Sequence, residues 1–426
     1  MKNQKQIGQE IHSFIEQLFP ICRSITGDGV RETLEIISQK IPVNICEVPS
    51  GTKVFDWTIP EEWNIKDAYI INPEGKKIID FKKLNLHVVN YSQPINKKIS
   101  LEELKKHLHT FPAKPDWVPY KTSYYKKDWG FCIAENQLKT MKEGTYNVVI
   151  DSSFSKGSLT YGEFFIKGET EEEVFISTHI CHPSMCNDNL TGIAIATFLA
   201  DFLLKGKRKY SYRIIFVPAT IGAITWLSQN ENKLKKIKYG LVAALLGDSG
   251  NFNYKKSRVG NAVIDKIVEY VLQTSGYEFR LHNFSPYGYD ERQYCSPGIN
   301  LPLGRLTRSQ NNEYEEYHTS ADNLDFVKPQ YLEESYRIFL SIINIIENNK
   351  KYINLFPKGE PQLGKRGLYN SVAGNIKEKE LAMLWILNYS DGENDLLDIA
   401  IKSKLDFNLL VSTAQLLEEH NLLKNI

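Results

Sequence analysis

Three short apolar runs separated by helix-like stretches constrain this chain more than any other feature. They are Val174-Phe-Ile-Ser-Thr, Tyr212-Arg-Ile-Ile-Phe-Val and Gly240-Leu-Val-Ala-Ala-Leu-Leu-Gly. Runs without polar alternation suit strands buried on both faces. The apolar stretch 189–204 between the first two reads as a helix. Parallel neighbours need such a crossover. Residues 260–273 read as a second helix, Leu301-Pro-Leu-Gly-Arg-Leu as a strand and 329–348 as a long helix. The expected fold is α/β, a mixed sheet flanked by helices.

Upstream, 5–19 and 29–40 read as amphipathic helices; Val30, Leu34, Ile37 and Ile41 recur at helical spacing in the second. A strand over 43–48 follows. From 55 to 150 the character changes. Tryptophans, prolines and short β-like runs at 68–72, 77–81, 86–91, 130–134 and 146–151 predict an inserted, small all-β module. The Gly- and Pro-rich segment 357–369 marks a boundary. Helical segments at 378–388, 396–402 and 408–420, with a short trailing strand, predict a C-terminal winged helix-turn-helix. The expected domains are therefore 1–54 with 151–356 (α/β), 55–150 (β module) and 357–426 (winged helix).

The formal net charge of +1 supplies no field to draw nucleic acid or a membrane. The segment 408–420, in the position of a recognition helix, carries no Lys or Arg. Phosphate contacts need basic side chains, so a structural or oligomerising role is expected there. The N-terminus lacks the apolar core of a secretory signal. No stretch of about 18 apolar residues occurs, so no membrane span is expected. The six cysteines are scattered and fit reduced thiols in the cytoplasm.

In open α/β sheets, ligands bind beyond the carboxyl ends of the strands. His179-Ile-Cys-His182 and Asn187-Asp188-Asn189 follow the first run, Gly247-Asp248-Ser249-Gly250 the third, and His318 precedes the last long helix. Imidazoles with carboxylates suit Zn²⁺, and less specifically Mn²⁺ or Co²⁺. Blander readings stand beside this one. Asp188 or Asn189 caps the helix, Asp248 forms a turn, His318 is an ordinary loop histidine, or His179, Cys181, His182 and Cys186 form a closed structural site.

Longer strings carry a family resemblance: Phe19-Pro-Ile-Cys-Arg-Ser-Ile-Thr-Gly, Val48-Pro-Ser-Gly-Thr-Lys-Val-Phe-Asp-Trp, Ser177-Thr-His-Ile-Cys-His-Pro-Ser, Asn187-Asp-Asn-Leu-Thr-Gly, Asp290-Glu-Arg-Gln-Tyr-Cys-Ser-Pro-Gly and Tyr317-His-Thr-Ser-Ala-Asp-Asn-Leu-Asp. The chain resembles the M28-type zinc aminopeptidases. It is closer to their bacterial aminopeptidase-like branch associated with polysaccharide biosynthesis (DUF4910/DUF2172). The resemblance implies His179 as the first metal histidine, Asp188 as the bridging carboxylate, Asp248 as a later ligand and His318 as the last. It leaves His182 as an extra ligand or a proton carrier. M28 enzymes place a Glu-Glu pair after the second strand, where this chain has Ala219-Thr220. Glu291 or Glu163 is then expected to supply the missing catalytic carboxylate. Tyr161, Tyr287, Tyr289 and Arg292 are expected to line the pocket. The implied activity is metal-dependent hydrolysis of an amide or peptide bond in a small substrate, such as an acylamino-sugar, with one or two Zn²⁺. The rival expectations are a catalytically impaired metal- or ligand-binding protein in polysaccharide or secondary-metabolite biosynthesis, and a DNA-binding regulator.

Overall fold

A computed structural model describes residues 4–368 and 377–426. Contacts divide the chain into two compact units, 1–338 and 339–426.

The first unit is built on an eight-stranded sheet. Its order is Asn44–Pro49, Ser158–Ile166, Ser211–Val217, Glu173–His179, Ile237–Ala243, Leu303–Thr307, Phe252–Lys255, Phe279–His282. The four middle strands, from Ser211–Val217 to Leu303–Thr307, run parallel. Every residue of Glu173–His179 and Ser211–Val217 is buried, as apolar-rich runs without polar alternation predict. The crossover between them is the helix Thr191–Leu204, itself buried along most of its length. The helix Gln4–Leu18 buries Ile11, Phe14, Ile15 and Leu18; Asp28–Ser38 buries Val30, Thr33, Leu34 and Ile37. Both stripes follow the 3.6-residue period.

The segment following Asn44–Pro49 builds a separate antiparallel sheet in the order Lys77–Asp80, Glu62–Ile71, Thr145–Ser155, Ile95–Ser100. Ala68, Ile70, Val148 and Ile150 fill its inner face. In the second unit, Lys351–Asn354 is the middle strand between Asp391–Asp395 and Leu423–Asn425, with helices Glu378–Tyr389, Leu396–Ser403 and Phe407–Glu419. That middle strand lies ahead of the Gly- and Pro-rich segment expected to open the winged helix.

Three expected elements change. The run 86–91 is not a strand but a short 3-10 turn, Asn85–His87, followed by isolated bridges at Val88 and Asn90. Polar side chains anchor it: Asn85 Nδ2 donates to Pro20 O, and Asn90 Nδ2 to Arg23 O. The third buried strand stops at Ala243 rather than running to Gly247. The amides of Leu245, Leu246 and Gly247 leave the ladder to donate to Asn189 Oδ1, Thr191 Oγ1 and Asn187 Oδ1. The crossover helix starts at Thr191 because Asp188 and Asn189 are non-helical. Strands Ile95–Ser100, Ser158–Ile166, Phe252–Lys255 and Phe279–His282 were not expected.

Candidate metal centre

The strand Glu173–His179 delivers His179 at its carboxyl end, and the irregular turn Cys186–Leu190 brings Asp188 back onto it. His179 Nε2 lies 2.8 Å from Asp188 Oδ1. His318 Nε2 lies 2.9 Å from Asp188 Oδ2, across 130 residues of sequence. His182 Nδ1 stands 3.9 Å from Asp188 Oδ1. The ligand atoms of His179, His182 and Asp188 all lie within 4.8 Å of one another. One carboxylate is thus gripped on each oxygen by a histidine.

The turn is held from beneath. The buried Asp322 carboxylate accepts from three successive amides, Cys186 (3.1 Å), Asn187 (2.6 Å) and Asp188 (2.9 Å). Burial raises the Asp322 carboxyl while those amides oppose the rise. Asn189 Nδ2 reaches Thr178 Oγ1 (2.8 Å) and His179 Nδ1 (3.2 Å), fixing the imidazole's orientation. Gly192 sits where any Cβ would lie 2.5 Å from Ala243 O and 2.6 Å from Asn189 Oδ1. The buried Arg23, from the Phe19–Gly27 string, donates to His182 O (2.7 Å), Leu18 O (2.8 Å) and Pro183 O (3.2 Å). It pins the loop that leaves His182 toward Asp188.

Aromatic rings wall the centre. Tyr289 stacks on His179 at 4.8 Å, and Tyr317 on His318 at 4.0 Å. The Tyr289 hydroxyl donates to Tyr317 Oη. Tyr120 meets the rings of His182 and His318 edge-on. Burial pushes the Tyr289 and Tyr317 phenols up, so both keep their protons. Burial pushes His182 down to about 3, leaving a neutral imidazole with a free lone pair. Burial alone would raise Asp188, but nearby His182 and the bonds from His179 and His318 hold it well below the usual carboxylate range.

The structure brings together His179, His182, Asp188, His318 and Tyr289. It does not bring Asp248 to them. Asp248 Oδ2 accepts from Asn187 Nδ2 (2.7 Å), and Oδ1 accepts from Gly250 N and Ser309 Oγ, both at 2.6 Å. The early end of its strand leaves Asp248 bracing the turn rather than facing the histidines. Glu291, expected as the base, is buried in an ion pair with Lys255 (2.5 Å) and Arg305 (3.3 Å). Glu163 is held by Arg213 (2.6 Å) and Trp226 Nε1 (2.8 Å). Tyr161 is a core residue of the unexpected strand Ser158–Ile166, not a pocket loop. Tyr287 is two-thirds exposed, and its carbonyl accepts from Lys255 Nζ. Arg292 lies half-buried on the turn after Asp290, with its Nε unpartnered. Cys186 stays outside the cluster. Cys181 Sγ packs 3.3 Å from Ala219 N. Asp290, Asp322 and Arg23 were given no role from the sequence, and Asn189 was read only as an alternative helix cap.

The donor set fits a divalent cation. Two ligands of one tetrahedral zinc, bound at ~2.0–2.1 Å, stand about 3.3 Å apart. The His179 to Asp188 separation of 2.8 Å needs only a small spread to reach that. Neutral imidazole and an ionised, buried carboxylate are the donors such an ion prefers.

A mixed sheet with this centre at the carboxyl ends of its parallel strands, joined to a winged helix, defines an aminopeptidase-like α/β protein. The solved structures agree on the fold. The chain matches the zinc aminopeptidase of Bacillus subtilis with TM-score 0.57 and 12% identity, covering 80% of this chain and 94% of that one. It matches an M28 peptidase precursor of Shewanella amazonensis with TM-score 0.54 and 13% identity, covering 82% and 96%. The chain belongs to the family described as a domain of unknown function, DUF4910, over residues 12–349, followed by a winged helix-turn-helix over 350–425. A Clostridium acetobutylicum protein, named as a candidate polysaccharide biosynthesis protein with an aminopeptidase-like domain, is 55% identical over all of this chain and 98% of its own length. A crystal structure of a candidate peptidase from that organism has TM-score 0.95 at 55% identity, covering 100% of this chain and 98% of that one.

Proposed function

We propose that this protein is a metal-dependent hydrolase of an amide or peptide bond in a small substrate, with Zn²⁺ as its cofactor. The observation that carries this reading is the Asp188 carboxylate, buried and held on both oxygens by His179 and His318. Asp188, His179 and His318 would hold the ion, with His182 beside them; the arrangement suits one ion or a bridged pair, and Mn²⁺ or Co²⁺ could substitute. Bound there, zinc would supply Lewis-acid polarisation of a carbonyl and lower the pKa of water. The chain's own part is to orient the ligands through Asn189, Asp322 and Arg23, and to enclose the site with Tyr120, Tyr289 and Tyr317. The Clostridium relative's name supports an acylamino-sugar amide among the substrates to try.

A second reading has its own observation. Ala219-Thr220 follows the strand Ser211–Val217 where the M28 resemblance places two glutamates, which favours an impaired, ligand-binding protein. DNA regulation finds less support, because Phe407–Glu419 contains no Lys or Arg. Among the described residues no helix is long and apolar enough to cross a membrane. All six cysteines are free thiols, which supports a cytoplasmic location.

The test is metal analysis with a hydrolysis screen on aminoacyl and acylamino-sugar amides, with and without chelator. Expected are a bound ion lost in His179→Ala and Asp188→Ala, and turnover that chelation abolishes. Unchanged metal content in both variants would refute the centre. A stably held metal without turnover would favour the second reading.

A further inference from the structure

Lys255 and Arg305 stand directly opposite one another on the antiparallel strands Phe252–Lys255 and Leu303–Thr307, and both are buried. Like charges so placed destabilise a sheet. Among the described residues one carboxylate, Glu291, forms ion pairs with both. The three charged tips converge beneath Gly288, whose φ is +143°. A Cβ there would collide with Glu291 Oε1 and lie 2.7 Å from Arg305 Nη1 and 2.9 Å from Lys255 Nζ.

The two cations are not equally served. Lys255 Nζ lies 2.5 Å from Glu291 Oε1 and donates to the carbonyls of Tyr287 (2.6 Å) and Ser285 (3.2 Å). Those partners use the three N–H bonds of an ammonium. Arg305 Nη1 reaches Glu291 Oε1 and Asn311 Oδ1 only at 3.3 Å, Nη2 reaches Gln310 Oε1 at 3.5 Å, and Nε has no hydrogen-bond partner. Charge-assisted hydrogen bonds usually run ~2.7–2.9 Å. The buried Arg23, Arg213 and Arg308 each have such a short bond, at 2.7, 2.6 and 2.9 Å. Arg305 is therefore the surplus charge, a buried guanidinium with donors to spare. With Lys255, His282, Gln310 and Asn311 it lines a cavity of about 430 Å³. Glu313, the other carboxylate lining that cavity, is exposed and accepts from Gln310 Nε2 (2.8 Å). Solvent and salt screen it more than they screen buried Arg305. One aromatic ring separates Arg305 from the metal centre: its guanidinium carbon lies 5.3 Å from the centre of Tyr289, which stacks on His179.

We propose that this cavity binds the carboxylate or phosphate group of an acidic small molecule, with Arg305 as the principal donor. The planar guanidinium fork matches both oxyanions. Lys255 adds a second positive charge and holds Glu291 Oε1 to itself. The site is independent of the hydrolase reading, because anion binding is measured without turnover.

The experiment is isothermal titration of the full-length protein with inorganic phosphate and, separately, acetate, at constant ionic strength, in wild type, Arg305→Gln, Arg305→Lys and Asn311→Asp. Expected is saturable binding of one anion per chain in wild type, the tighter of the two probes naming the group. Arg305→Gln should weaken it at least about tenfold, the effect of losing a charge-assisted hydrogen bond. Arg305→Lys, which keeps the charge but not the fork, should weaken it less. Asn311→Asp sets a carboxylate where Oδ1 already lies 3.3 Å from Arg305 Nη1. It should block the anion while leaving the thermal midpoint at or above wild type, so it decides the matter if Arg305→Gln does not fold. Absence of saturable binding of either probe to wild type, or binding unchanged in Arg305→Gln and Asn311→Asp, would overturn the site. Binding that survives both substitutions but is lost on chelation would place the anion on the metal, and would overturn it equally.

Discussion

Replacing Asp322 tests how the metal turn is built. Its Oδ1 accepts from Cys186 N and Asn187 N, and its Oδ2 from Asp188 N. Cys186 N has a second acceptor, the Asp322 backbone carbonyl at 3.1 Å, which a substitution leaves in place. Asp322→Ala therefore orphans two buried amides, not three. At about 1–3 kcal/mol for each unsatisfied donor, the loss is about 2–6 kcal/mol, reduced by relief of the buried charge. Asp322→Asn keeps one acceptor oxygen and sets an NH₂ against the Asp188 amide, so about 1–3 kcal/mol is expected. Urea unfolding followed by tryptophan fluorescence is the assay. Five of the six tryptophans precede residue 339, so the signal reports mainly on the first unit. Because Asp188 rides on this turn, zinc affinity should fall at least tenfold in Asp322→Ala. A stability change within about 0.5 kcal/mol, the range of an ordinary surface substitution, would refute the reasoning. Equal losses in the two variants would move the cause from acceptor count to charge.

Two further outcomes follow from the same packing. Arg23→Met orphans the His182 carbonyl, while those of Leu18 and Pro183 keep the backbone donors Ile21 N and Met185 N, so a loss of about 1–3 kcal/mol is expected in urea unfolding; the loss should be accompanied by weaker metal binding. Glu62 receives both Nη atoms of Arg31 and the Ser158 amide, and Arg31 holds its carboxyl down to about 2. A depressed carboxylate stabilises the fold above its unfolded value near 4.5, and that contribution is lost as pH falls toward 2. The stability gap between wild type and Glu62→Gln should therefore be full at pH 6 and close as pH drops below about 4.5. A gap independent of pH would show that packing, not charge, sets it.

Where elements declare themselves locally, the sequence suffices. The apolar-rich, non-alternating runs of Glu173–His179 and Ser211–Val217, and the long helix Pro329–Asn348, are set by residues adjacent in the chain. Except for Ser158–Ile166, which has nine residues and lies inside the large sheet, the strands that escaped notice are short or at a sheet's margin. Ile95–Ser100 carries two lysines and is mostly exposed, and Phe252–Lys255 and Phe279–His282 have four residues each. Their identity depends on the partner strand rather than on their own pattern.

The site divides in the same way. His179, His182 and Asp188 lie within ten residues, directly after a buried strand, and the chain alone marked them. Partnering of carboxylates could not be read that way. Asp248, Glu163 and Glu291 look as available in sequence as Asp188. Only the fold engages Asp248 with Asn187 and Ser309, Glu163 with Arg213 and Glu291 Oε1 with Lys255, and sets Asp188 between His179 and His318. The sequence thus determined which elements form and where the histidines fall, because backbone periodicity is a local property. The tertiary structure alone decided which carboxylate meets the histidines, because a hydrogen bond or ion pair is settled by distances of a few ångströms between residues far apart in the chain.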